Sequence, residues 1–215
     1  VVLSTGASAK GDAGSLTLQV GRAEQGAVGD LALIGGATGR GAAGGLRLSG
    51  GASDATYGVG GDVRISGGAG TDTSLIDGGD GGNVFISGGE AAGREASDLA
   101  GFVKIAGGAA SAGVGGDVEL LSGASADSHS GSLALGTADA AATAAQSGGL
   151  TISTGSSKEG ASGAVEVKAG SAEAGAGGAV RITAGSGRTA GELSLSAGSS
   201  TSSTGGDVAR SEERR

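Results

Sequence analysis

Along most of the chain, two aliphatic residues flank a single variable residue, and glycines bracket the three. Clear copies are Gly61-Asp62-Val63-Arg64-Ile65-Ser66-Gly67-Gly68 and Gly82-Asn83-Val84-Phe85-Ile86-Ser87-Gly88-Gly89. The lead aliphatic recurs at Val1, Leu16, Leu31, Leu46, Val63, Val84, Val103, Val118, Leu133, Leu150, Val165, Val180, Leu193 and Val208. The base spacing is 15 residues, stretching to 21 between Val63 and Val84. Alternation of period two predicts a short β-strand with one buried face. The residue between the aliphatics is variable and often charged, as in Arg47, Arg64, Lys104, Glu119, Glu166 and Arg181, which suits an outward position.

Glycine holds a fixed place in each copy. From Leu16 onward it stands two residues before every lead aliphatic. Through Leu193 it also stands five residues after the lead, with Ala138 the exception, and often ten after, as at Gly26 and Gly41. Fixed glycines predict positive φ or close backbone approach, both of which corners require. The returns are rich in Ala, Ser and Gly and nearly constant in length, unlike the tight turns of a hairpin meander. The pattern therefore predicts an all-β fold, a parallel β-solenoid of about fourteen rungs over residues 1–210. Residues 69–101 form an irregular zone holding the two longest insertions, and 211–215 form a charged tail.

A rung with two aliphatics cannot stand alone, so the expected stability lies in stacking. Paired backbone groups and continuous Val/Ile/Leu columns would link rungs. Outward residues would then meet their neighbours one rung along, such as Glu166 beside Arg181. The run Gly60-Gly61-Asp62-Val63-Arg64-Ile65-Ser66-Gly67-Gly68 resembles the short-rung, Gly/Ala/Ser-rich parallel β-solenoids of surface and adhesin-type proteins, including large repeat proteins of algae and bacteria. The likeness extends over nearly the whole chain. It implies an extracellular or cell-surface location and a role in fibres, adhesion or wall material, and it transfers no functional residue.

Composition narrows the reading further. Glycine makes up 51 of the 215 residues, and Pro, Cys, Met and Trp are absent. The aromatics are Tyr57, Phe85 and Phe102. Such a chain lacks the large rings and abundant leucines of an ordinary globular core. With no proline and no glycine at every third position, it is not collagen-like either. A formal net charge of −8 with interspersed signs argues against nucleic acid, which needs a basic stripe. Without cysteine there are neither disulfides nor thiolate metal sites. The longest apolar runs span only a few residues, so no membrane insertion is expected.

Candidate chemistry is sparse. His129 lies in Ser125-Ala126-Asp127-Ser128-His129-Ser130, where sequence neighbours cannot converge as a triad must. Acidic or amide residues precede several lead aliphatics, at Asp30, Asp62, Asn83, Asp117 and Asp207. The run Asp77-Gly78-Gly79-Asp80-Gly81-Gly82-Asn83 makes Asp77 and Asp80 the best calcium candidates, but the nine-residue cadence of calcium β-rolls is missing. The outward column mixes Thr, Ala, Arg, Lys, Glu and Phe, unlike the regular Thr array that ice binding needs. No phosphate-loop motif or repeating acid pair occurs, so neither enzyme activity nor a cofactor is expected.

The reading that remains is a non-catalytic structural segment of an extracellular filament, appendage or cell-surface layer. The alternative is an adhesion module that binds a protein or glycan through the loops at 69–101, with Tyr57, Phe85 and Phe102 as lateral contacts. Ice or calcium binding is a minor alternative. Both ends read as uncapped rungs, which predicts end-to-end self-association or neighbouring repeats of a longer chain.

Overall fold

A computed structural model describes residues 1–74, 76–95, 97–142 and 145–209, so the tail at 211–215 lies outside the described residues. Among the described residues there is no helix and no strand. The expected parallel β-solenoid is therefore absent, and the repeat takes another form. Each copy is an extended segment of constant length followed by a loop of variable length, and most loops are closed at the base by a hydrogen bond.

The glycine five residues after the lead aliphatic opens the loop. The glycine two residues before the next lead closes it, and its N–H donates to the opening carbonyl oxygen. Nine loops close this way, at 2.8–2.9 Å, among them Gly44 to Gly36, Gly61 to Gly51, Gly116 to Gly108 and Gly178 to Gly170. From closing glycine to next opening glycine the count is fixed, as in 44–51, 61–68, 101–108 and 178–185. The insertions that stretch the period all fall inside loops: Gly82 closes on Gly68 and Gly101 on Gly89. The remaining backbone bonds among described residues run from Gly58 to Ala55, Gly79 to Asp72, Asp98 to Glu95 and Ala145 to Ala142.

This bonding explains the failure of the solenoid expectation. A rung ladder needs N–H and C=O groups directed at the next copy. Here the groups at nine loop bases are satisfied within their own repeat, and among the described residues no backbone bond runs from one extended segment to another. Burial does not provide the missing link. No described side chain is buried. From Leu16 onward the paired aliphatics are 48–71% exposed. The chain presents 21349 Å² of accessible surface, against about 8,500 Å² for a folded monomer of its size and about 28,000 Å² for an unfolded one. Two aliphatics in fifteen residues remove too little apolar area from water to offset the entropy of ordering a glycine-rich rung.

Two units are distinguished, Val1–Val118 and Glu119–Arg215. In the first, loops 36–44, 51–61, 68–82, 89–101 and 108–116 each have glycine ahead of the opening position, at Gly35, Gly50, Gly67, Gly88 and Gly107. In the second, Ser122, Thr137, Thr154, Ala169, Ala184 and Ala197 take that place. The outward register of the extended segments persists without a sheet. Asp62 pairs with Arg64, and Glu166 with Lys168 at 2.8 Å, two residues apart on one side of the backbone. Glu166 thus finds its partner along its own segment and not at Arg181.

Candidate functional site

The loop bases are the most ordered chemistry in the chain. Most closing glycines, and in the first unit the glycines ahead of the opening position, owe their place to close approach, whereas a Cβ on an opening glycine such as Gly51 would meet nothing within 4 Å. Among the described glycines only Gly26 and Gly41, near loop apices, have positive φ, at 90° and 92°. In the first unit a Cβ on Gly50 would overlap the Gly61 carbonyl oxygen, and Gly107 stands in the same relation to Gly116. A Cβ on the closing glycine would also crowd the opening amide nitrogen, at 3.1 Å for Gly61 and 2.8 Å for Gly101. Two backbones meet at a distance only glycine permits.

Loop interiors are organised by short side-chain caps. The seventh residue after the lead aliphatic is serine in several copies, and its hydroxyl accepts from the N–H three residues on. Ser8 caps Gly11, Ser125 caps Ser128, Ser157 caps Gly160 and Ser200 caps Ser203, at 2.8–3.1 Å. The recurrence of Ser at one register position announces these caps in the sequence, but composition masks it because serine is abundant everywhere.

The aromatic contacts and the calcium candidates expected from the sequence sit on or beside the three longest loops of the first unit. In loop 51–61 the Gly58 N–H donates to the Ala55 carbonyl at 2.9 Å, with Tyr57 at φ 64° in the third place of the turn. A bulky side chain there is a conformational outlier. The Tyr57 side chain is 99% exposed. Phe85 lies on the outward side of its segment and Phe102 beside a closing glycine, at 90% and 83% exposure. The structure therefore presents all three rings to solvent and packs none of them.

Asp77 and Asp80 lie in loop 68–82, which has two nested closures, Gly82 to Gly68 at 2.8 Å and Gly79 to Asp72 at 3.0 Å. The ordering carboxylate there is Asp72, which accepts from the Ser74 N–H at 2.9 Å. In loop 89–101 the Asp98 carboxylate accepts from the Glu95 N–H at 3.0 Å, while the Asp98 N–H donates to the Glu95 carbonyl. Among the described residues, no three carboxylate or imidazole side chains come together as metal ligands would, and no enclosed pocket forms. His129 follows the Ser125 cap and is exposed.

No protein-family model, characterised protein or solved structure matches the chain. The functional reading thus rests on the repeat itself: a multiplied surface of exposed aliphatic pairs, outward charges and locally closed loops. No helix among the described residues is long and apolar enough to cross a membrane.

Proposed function

We propose that the chain is a non-catalytic structural segment of an extracellular filament, appendage or cell-surface layer, associating with copies of itself or with further repeats. The observation that carries this reading is the constancy of the extended segment. From Leu16 to Leu195 each copy offers a pair of roughly half-exposed aliphatics with glycine at a fixed distance before it, while variation in length is confined to loops. Repetition of one apolar element suits association at many equivalent points. The resemblance of Gly60–Gly68 to surface and adhesin repeats supports the extracellular placement. Electron microscopy of native material tests the proposal: fibres or a continuous layer that label with an antibody to the chain are the expected result. A dispersed, unassembled chain in the native source contradicts it.

An adhesive role for residues 69–101 is a second reading, favoured by the exposure of Tyr57, Phe85 and Phe102. Exposed rings stack on the apolar faces of sugars or peptides. A glycan array probed with the wild-type chain and with Phe85→Ala separates the readings, because assembly through the aliphatic pairs does not need the ring.

A further inference from the structure

The residue ahead of the opening position decides how a loop closes. Where it is Gly, Ser or Ala, the backbone bond forms, in all nine cases. Where it is β-branched, at Thr5, Val20, Thr137 and Thr154, no backbone bond joins the opening and closing residues. A β-branched side chain has little freedom at χ1 and occupies space beside the closing backbone. At Thr137 and Thr154 the bond is replaced. The threonine hydroxyl donates to the carbonyl oxygen of Gly148 and of Gly163, each at 3.1 Å. The γ-methyl lies 3.5 Å from where a Cβ of that glycine would sit. The closing residue now accepts where elsewhere it donates, so one hydroxyl hydrogen is the polar link across the base. Thr5 makes no such bond among the described residues, and Val20 has no hydroxyl to offer.

The geometry points to Thr137 and Thr154 as latches that an O-linked sugar opens. Both residues are exposed and their hydroxyl oxygens are ordinary acceptors for glycosyl transfer. The donor is a nucleotide-activated sugar. The bond between its anomeric carbon and the nucleotide phosphate breaks, a bond from that carbon to Oγ1 forms, and the hydroxyl proton passes to the transferase's base. The product oxygen has no hydrogen to donate, so the link to Gly148 or Gly163 is lost while every backbone bond elsewhere stays intact. A neutral sugar adds no charge to a chain already at −8. The inference is independent of whether the chain assembles.

Carbonyl carbon-13 NMR of the full chain tests it, comparing wild type, Thr154→Ser, Thr154→Val and a semisynthetic chain with one N-acetylhexosamine on Thr154. The Gly163 carbonyl resonance should be downfield in wild type, and in Thr154→Ser it should move upfield as a backbone bond closes the loop, as it does behind Ser122. It should move upfield, toward that of Gly29 behind Val20, in Thr154→Val and in the sugar-bearing chain. Gly178, closed by backbone, should not move. An unchanged Gly163 resonance in Thr154→Val overturns the latch, and an unchanged one in the sugar-bearing chain overturns its opening by glycosylation. The matching substitutions at Thr137, read at Gly148, must give the same pattern.

Discussion

Gly50 shows how single residues govern this chain. Its missing Cβ is where the Gly61 carbonyl oxygen sits. Gly50→Val should therefore open loop 51–61, as β-branched residues at this register position do elsewhere, and expose the Gly61 amide, accelerating its hydrogen exchange about five-fold, the factor a net hydrogen bond supplies. Gly51→Ala should be mild by comparison, because nothing lies near its absent Cβ. Tyr57 presents the opposite case, a side chain held where glycine or asparagine is at ease. Tyr57→Asn should keep the Gly58-to-Ala55 turn, and Tyr57→Val should lose it, since a β-branched residue at positive φ is a strong outlier. Exchange at Gly58 distinguishes the two. These residue-scale constraints were partly legible. Glycine's recurrence pointed to close approach, but only the structure separates that from the positive φ expected at corners.

Loops and extended segments are the elements, and they obey a rule that sequence can be made to test. Ala169→Val should abolish the Gly178-to-Gly170 bond, leaving loop 170–178 in the condition of 21–29. Ala169→Ser should preserve it, as Ser122 does in loop 123–131. Amide exchange at Gly178 reads both. The segment length, the placement of insertions and the outward register of Asp62, Arg64, Glu166 and Lys168 were all visible in the alternation and the glycine spacing. What lay opposite each segment was not. Period two assigns a side chain to a face, but it is silent on which backbone stands across the gap. The ladder between copies was supplied by assumption, and local closure at the glycines took its place.

For the whole molecule, the balance lies between exposed apolar pairs and net negative charge. Association of like chains at −8 is opposed by repulsion that salt screens, with a Debye length of about 30 Å at 0.01 M and about 3 Å at 1 M. Self-association should therefore strengthen as ionic strength rises. Sedimentation velocity at the two salt levels checks this, and a chain that stays monomeric at both, at high concentration, contradicts the assembly reading. Replacing one aliphatic pair, as in Val180→Asp with Ile182→Asp, should weaken association only slightly, since many equivalent segments remain. In dilute solution, circular dichroism should lack a strand signature.

A loop tied at its base by one weak bond is also a store of slack. Under tension, opening loop 108–116 would free about eight residues of contour, roughly 25 Å. Opening loop 68–82 would free nearly twice that. Loops 6–14 and 21–29, with no bond across their bases, should yield first, and those tied glycine to glycine should yield later. A material woven from such chains would give gradually under load and recover when released, because each tie re-forms between neighbours that never drift far apart. Pulling single chains and cycling the force would reveal this as a soft, reversible extension without abrupt rupture.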